Sequence, residues 1–487
     1  MGVKLVIRDE VNIKLEGLPL EARKKLANTF KYEVGYAKYH PAYKLGRWDG
    51  TVSLFGLGGN GYLSQLEVIL GILENMDIDI AEIEDLRQHH DLNFTPVTET
   101  YWSDKGKVWP PGHPEAGKPI LLRDYQIDAI NKFLTTPQAL QEIATGAGKT
   151  ITTATLSHVC EKIGRTITIV PNKSLVEQTE EDFINVGLDV GVYYGDRKDL
   201  NKTHTICTWQ SLNILDKKSK NQEHDIVTLA EFLDGVKTVI VDEVHMAKAE
   251  VLKNLLTQNL CNAAVRWGLT GTIPKEKYEY EQIFASIGPV VGGITAHELQ
   301  EKGVLSNCHV NVVQMIDLPE FRSYADELKY LTTDENRMLY IAKLIREISE
   351  TGNTLVLVNR IESGKFLVNE LEGSVFISGE VKTTKRKEEY KEHATSDNKI
   401  TVATFGVAAV GINIPRIFNL VLLEPGKSFV RVIQSIGRGI RKAEDKDFVQ
   451  IWDLTSTCKY AKRHLTERKK FYKDAKYPFT IEKTDWR

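Results

Sequence analysis

The sequence predicts an α/β protein, with two parallel sheets in tandem behind a small α+β region, on three observations. Between about residues 140 and 300, β-rich runs alternate with helical ones: Thr166 to Val170, Gly191 to Tyr194, His204 to Thr208, Val236 to Val241 and Val265 to Leu269. Such alternation makes a parallel sheet with crossover helices. A second series opens at Thr354 to Val358 and continues through Ser374 to Ile377, Ile400 to Thr404, Leu420 to Leu423 and Phe448 to Trp452. Third, the glycine-rich turn Ala144-Thr145-Gly146-Ala147-Gly148-Lys149-Thr150 lies between an apolar strand, Ala139 to Ile143, and a segment of helical apolar spacing, Ile151 to Val159.

Length and composition bound the rest. A chain of 487 residues is too long for one hydrophobic core, so about three domains are expected. Hydrophobic residues at 42% and charged residues at 26% are ordinary for a globular protein. Lys plus Arg number 63 against 66 for Asp plus Glu, so any footprint for nucleic acid must be local. Cys160, Cys207, Cys261, Cys308 and Cys458 are isolated and never spaced C-x-x-C, which points to a reducing compartment and against structural zinc. No stretch approaches the roughly 18 apolar residues of a membrane span, and the start lacks a basic-then-apolar leader. The expectation is a soluble cytoplasmic protein.

Residues 1–102 form the small α+β domain: alternation at Val3, Leu5 and Ile7 and at Val11, Ile13 and Leu15 gives two strands, and a helix follows from Pro19 to about Phe30. From Phe30 to Gly50 aromatic and basic residues alternate, with Lys44, Arg47 and Trp48 the candidate nucleic-acid contacts. Such interleaving suits base stacking and phosphate pairing, and equally a small core with lysines facing water. Gly56 to Gly61 is a hairpin tip, Leu66 to Leu73 a helix and Ile78 to Ile83 a strand. His89-His90-Asp91 lacks a second ligand pair and is a surface loop. Residues 103–119, dense in Pro and Gly, break every regular pattern and make a linker.

The first sheet domain is placed at 120–305. Leu121 to Gln126 opens a helix running to about Leu134, and the Gln126 amide, donor and acceptor together, can read an adenine edge. In the turn that follows, Gly146 and Gly148 let the backbone aim N–H groups at phosphate oxygens, and the next helix adds the positive end of its dipole. Lys149 reaches the β and γ phosphates and Thr150 offers its hydroxyl to Mg2+. Where the general phosphate-loop pattern has a leading glycine, this chain has Ile143. The strand Thr238 to Val241 runs into Asp242-Glu243-Val244-His245, which places Asp242 to hold Mg2+ through water and Glu243 to deprotonate the attacking water.

Taken together, Ala144 to Thr150, Asp242 to His245, Leu269-Thr270-Gly271-Thr272, Thr404 to Pro415 and Gln434 to Arg441 resemble, in order and spacing, the motifs of superfamily-two helicases of the D-E-x-H type. The match covers roughly residues 120 to 456. The resemblance implies two RecA-like motor domains, the second at 306–456, with ATP and Mg2+ as cofactors. It assigns Arg123, Gln126, Thr145 to Thr150, Gly411 and Gln434 to nucleotide binding, and Lys149, Asp242, Glu243, Arg438 and Arg441 to catalysis. Three apart on a helix, the two arginines share a face. His245, Thr270 and Thr272 couple the site to movement, and Pro171, Asn172, Lys173, Thr208, Gln210 and Thr404 contact the nucleic-acid strand. Asn413 stands where many relatives carry Asp.

The segment Tyr39 to Gly50, the short domain around it and the total length are similar to the UvsW-type helicases of T-even-like phages. That resemblance implies branched or single-stranded DNA as partner, RNA–DNA hybrids as further substrates, a monomer, the host cytoplasm, and branch migration, fork regression and R-loop unwinding in phage recombination, repair and replication. An RNA helicase and a restriction-type duplex translocase are the alternatives; outside the motor the sequence has no nuclease constellation of clustered acids and a lysine. Residues 457–487 are a basic helical tail, either touching phosphates or packed on the second motor domain with a solvated face.

Overall fold

A computed structural model describes residues 2–111, 113, 115–223, 227–246, 249–379, 392, 395–407, 416–427, 436–437, 440, 443 and 445–487. The chain divides into two compact units, Met1–Ile143 with Gly148–Gly293 and Ala144–Ala147 with Ile294–Arg487.

In the first unit, strands β1 (Val3–Ile7), β2 (Asn12–Glu16), β5 (Asn60–Tyr62) and β6 (Ile80–Asp85) form a sheet in the order β5-β2-β1-β6. β1 pairs antiparallel with β2 and parallel with β6. β3 (Lys31–Glu33) and β4 (Thr51–Ser53) form a separate hairpin. Helices α1 (Leu20–Thr29) and α3 (Leu66–Glu74) cover the sheet, burying Leu26, Ile69 and Leu73 against Leu5, Ile13 and Leu15. Between β3 and β4 lies the four-residue helix α2 (Pro41–Lys44).

These elements are joined to the next sheet by polar ties. Gln138 Nε2 donates to Glu10 O at 2.7 Å, Asn12 Nδ2 to Thr257 O at 2.8 Å and Glu10 N to Cys261 O at 3.0 Å. The Pro/Gly segment is held down as well. Its neighbour Trp102 is 1% exposed and donates its indole N–H to Thr155 Oγ1 at 2.9 Å, and Trp109 N bonds Lys118 O at 2.9 Å. High Pro and Gly content prevents regular structure there, but burial of Trp102 against the helix Lys149–Val159 makes the segment a strap and not a free tether.

The eight-stranded sheet runs β10-β9-β11-β8-β12-β13-β7-β14. Its strands are β7 (Gln138–Ile143), β8 (Arg165–Val170), β9 (Val190–Tyr194), β10 (Arg197–Lys198), β11 (His204–Thr208), β12 (Val236–Asp242), β13 (Val265–Thr270) and β14 (Val290–Ile294). β7, β13, β12, β8, β11 and β9 pair in parallel, and β10 turns back antiparallel on β9. The crossovers include α4 (Asp124–Thr135), α5 (Lys149–Val159), α6 (Lys173–Asn185) and α7 (Trp209–Lys220), with α8 (Leu229–Phe232), α9 (Ala249–Asn254) and α10 (Lys277–Ser286) following. Ile167, Ile169, Val239 and Val241 are essentially buried, as continuous apolar runs covered on both faces require.

The second unit includes α11 (Ala296–Glu301) and holds a seven-stranded sheet, β17-β18-β16-β19-β20-β15-β21, whose strand pairings are parallel. Its strands are β15 (Asn307–Met315), β16 (Thr354–Val358), β17 (Val375–Ile377), β18 (Ile400–Thr404), β19 (Asn419–Leu423), β20 (Phe448–Ser456) and β21 (Phe479–Thr484). Helices α12 (Tyr324–Thr333), α13 (Glu335–Ser349) and α14 (Ile361–Glu370) precede or cross between them. The basic C-terminal region is more than a helical tail. Helix α15 (Lys459–Asp474) buries Arg468 and Tyr472, and the chain then returns as β21 to pair with β15. Asp453 explains the burial: its carboxylate accepts from Arg468 Nε and Nη2 at 2.8 and 2.9 Å and from Tyr472 OH at 2.8 Å.

Among the described residues no helix is long and apolar enough to cross a membrane. All five cysteines are free thiols.

Candidate active site and strand-contact edge

The strand-turn-helix context of the phosphate loop is present, with β7 ending at Ile143 and α5 starting at Lys149. Gly146 and Gly148 have φ of +93° and +77°, a left-handed backbone that other residues adopt only at a cost. A Cβ on Gly148 would also meet Gln126 Nε2 at 2.6 Å, so the glutamine amide lies directly against the loop. Gln126 is 5% exposed, and its Oε1 accepts from Arg123 N at 2.9 Å, while Arg123 Nη1 donates to Tyr125 OH at 2.9 Å. Thr145 and Ala147 complete the loop, with Ala147 buried.

From the other side of the site comes β12. Asp242 ends the strand and accepts the Glu243 N–H at 2.8 Å. Glu243 has φ +49°, a strained turn that aims its carboxylate back toward the loop. Glu243 Oε1 accepts from Lys149 Nζ at 2.5 Å, with the two side chains 8% and 10% exposed, and Glu243 Oε2 accepts from Gly271 N at 3.3 Å. His245 Nδ1 is 2.5 Å from Thr270 Oγ1, which in turn donates to Thr272 O at 2.7 Å. Burial pushes the His245 imidazole down to about 4, Lys149 adding to the effect and Glu243 opposing it. Lys149, Glu243, Gly271, His245, Thr270 and Thr272 thus form one connected group, although they come from α5, the turn after β12 and the end of β13.

Asp182 on α6, absent from the residues expected at the site, also belongs here. Burial pushes its carboxyl up to about 6 against an opposing hydrogen bond from Thr150. Asp182 follows Glu180 and Glu181, so in sequence it reads as one more member of an acidic run, and only the packing of α6 beside α5 brings it to the threonine.

The carboxyl ends of β8 and β11 carry the expected strand contacts side by side. Asn172 caps α6 by accepting Leu175 N at 3.1 Å, and Thr208 caps α7 by accepting Ser211 N at 3.2 Å. Gln210 Nε2 donates to Pro171 O at 2.9 Å, and Lys173 is exposed. With the Asn172 and Thr208 oxygens engaged as caps, what this edge presents to an anionic strand is two helix N-termini and the lysine. In the second sheet, Thr404 ends β18, paired with Val358. Gly411, Asn413, Gln434, Arg438 and Arg441 lie outside the described residues.

The aromatic-basic segment divides. Lys44 and Arg47 are exposed. Trp48 is not an open stacking surface: its indole N–H donates to Thr51 O at 2.7 Å, and its ring packs beside the buried cluster of Val34, Ala37 and Tyr278. The rings that face water are Tyr36, Tyr39 and Tyr43, with Tyr39 69% exposed.

Two family models match the chain. "Type III restriction enzyme, res subunit" covers residues 119–275, and "Helicase conserved C-terminal domain" covers residues 336–443. The chain is 24% identical to the "ATP-dependent DNA helicase uvsW" of Enterobacteria phage T4 over 92% of its length and 89% of the relative's. It is 23% identical to the "DNA 3'-5' helicase XPB" of Kineococcus radiotolerans over 75% of its length and 65% of that relative's. In fold it is similar to a fragment of a putative HsdR subunit of a type I restriction enzyme from Vibrio vulnificus, with a TM-score of 0.56 at 16% identity, covering 97% and 85% of the two chains.

Proposed function

We propose that this chain, a superfamily-two helicase of the D-E-x-H type, couples ATP hydrolysis to the remodelling of branched DNA. It is an ATP-dependent DNA helicase with two α/β motor domains in tandem. The observation that carries the active-site reading is the 2.5 Å contact between Lys149 and Glu243, which brings the phosphate-loop lysine and the candidate general base together across 94 residues of sequence.

In this reading Lys149 and the loop N–H groups of residues 145–150 hold the phosphates, Gln126 and Arg123 lie on the base side, and Glu243 orients and deprotonates the attacking water. Asp242 and the Thr150 hydroxyl are hard oxygen donors of the kind Mg2+ takes, and they flank the loop. When bound, the ion neutralises charge on the phosphates. Gly411 and Gln434 complete nucleotide binding, and Arg438 and Arg441 supply positive charge to the γ-phosphate. The group His245, Thr270 and Thr272 reports the state of Glu243 to the strand ends beyond β13. Pro171, Asn172, Lys173, Thr208, Gln210 and Thr404 track the strand, while Lys44 and Arg47, on the stub that exposes Tyr36, Tyr39 and Tyr43, meet the branch point. The substrate range includes RNA–DNA hybrids, and the working form is a monomer in the host cytoplasm.

The match of residues 119–275 to a restriction-enzyme subunit favours a second reading, translocation on duplex DNA without strand separation. Strand displacement on a forked DNA separates the two. The helicase reading expects displacement that requires ATP and disappears in Glu243→Gln. Displacement by that variant, or none by the parent protein alongside vigorous duplex-stimulated ATPase, would overturn it.

A further inference from the structure

Helix α5 carries four threonines in its first seven residues, and three of them direct their hydroxyl protons back onto the helix. Thr152 Oγ1 donates to Gly148 O at 3.4 Å, Thr153 Oγ1 to Lys149 O at 2.9 Å and Thr155 Oγ1 to Ile151 O at 2.7 Å. Thr150 stands too early for this. It is the second residue of the helix, and four positions back lies Gly146, in the loop at φ +93° and ahead of the first carbonyl that the helix uses. Its hydroxyl bonds sideways instead, to the carboxyl of Asp182 on α6.

On α6 the buried stripe is Val176, Thr179 and Phe183, and Asp182 borders it, three residues beyond Thr179. The acids beside it are disposed differently: Glu180 accepts from Arg197 Nη1 and Nη2 at 2.7 Å each, and Glu181 is exposed. Among the described residues the charge that acts on Asp182 is Glu181, of like sign. A carboxylate buried without a base is costly, and a divalent cation held by Thr150 is a counter-charge beside it.

We propose that Asp182 is a positioning residue for Mg2+: by accepting the Thr150 hydroxyl proton it fixes that rotor and leaves the oxygen lone pairs to the cation. The proposal rests on the nucleotide-site reading above. A hydroxyl has one proton and two lone pairs, and a metal takes a lone pair, so the proton must be held by another acceptor. Loss of such an outer partner lowers metal affinity by roughly 10- to 100-fold.

The test compares the full parent chain with Asp182→Leu, which removes the acceptor at similar size, and Asp182→Asn, which keeps an oxygen acceptor and removes the charge. Binding of a fluorescent ADP, mant-ADP, is titrated in EDTA and in Mg2+, and ATP turnover is followed against free Mg2+. In the parent, ADP binds more tightly with Mg2+ than without. In Asp182→Leu that gain should fall about tenfold and the half-saturating Mg2+ concentration should rise about tenfold, while affinity in EDTA is unchanged. Asp182→Asn should stay closer to the parent, and in a Thr150→Val background, with no hydroxyl to orient, adding Asp182→Leu should change nothing further. Equal weakening of ADP binding in EDTA and in Mg2+ would overturn the proposal, since it marks a packing role. So would an Asp182→Asn as impaired as Asp182→Leu, or a further loss on top of Thr150→Val. A parent protein whose ADP binding ignores Mg2+ would contradict the nucleotide-site reading itself, whereas a full Mg2+ gain kept by Asp182→Leu contradicts the role of Asp182 alone.

Discussion

Replacing Lys149 with alanine separates two consequences that the phosphate loop ties together. Its ammonium group is 2.5 Å from Glu243 Oε1, and with side-chain exposures of 10% and 8% neither partner can turn to bulk water. Removing one member of a buried ion pair leaves the other uncompensated, at roughly 3–5 kcal/mol. For a domain of this size each kcal/mol moves the midpoint by about 2–4 °C, so Lys149→Ala should melt about 10 °C below the parent protein in nucleotide-free buffer. ATP turnover should vanish with it. Adding Glu243→Gln removes the orphaned charge, so the double variant should recover most of the lost stability and none of the activity. Differential scanning calorimetry with steady-state ATPase assays reads both. A Lys149→Ala protein as stable as the parent, or a double variant as unstable as the single, would refute the ion pair as the resting state of the site.

The remaining predictions concern pH and the N-terminal stub. His245 has a folded pKa near 4, below its ordinary value of 6.5, so the unfolded chain takes up the proton first and stability is lost as pH falls from about 6.5 towards 4. At pH 5.5, one unit below the ordinary value, the loss from this residue is about 1.4 kcal/mol, and His245→Leu should remove that part of the pH dependence in urea titrations. Charge reversal at Lys44 and Arg47 should weaken binding to branched DNA and flatten its salt dependence; unchanged binding would return the stub to a structural role. Trp48→Ala should instead lower the melting temperature, because it empties a packed site and frees the Thr51 carbonyl.

What the sequence disclosed follows from how local each signal is. The phosphate loop, the Asp242-Glu243-Val244-His245 turn and each strand of the two series were legible because each lies within about ten residues and is dictated by backbone geometry or by apolar runs. Contacts between distant segments were not. Gln138 bonds Glu10 across 128 residues, and nothing in either neighbourhood announces that the first 100 residues are built onto the first motor sheet. Strand β21 escaped because an edge strand needs little apolar character: five of its six residues read as polar or sit in the open. Arg468 is indistinguishable in sequence from the solvated bases around it, and its partners Asp453 and the Gly426 carbonyl, distant in sequence, draw it inside. Trp48 and the oxygens of Asn172 and Thr208 show the same limit from the other side, since residue types suited to nucleic acid are also suited to packing and capping.

The central claim, a DNA-dependent motor acting on branches, is tested most directly by ATP hydrolysis at one fixed salt concentration without nucleic acid, then with single-stranded DNA, a Holliday junction and single-stranded RNA. Strongest stimulation by the junction is the expected result. Stimulation by RNA alone would contradict the account and leave the tyrosine-bearing stub without a function.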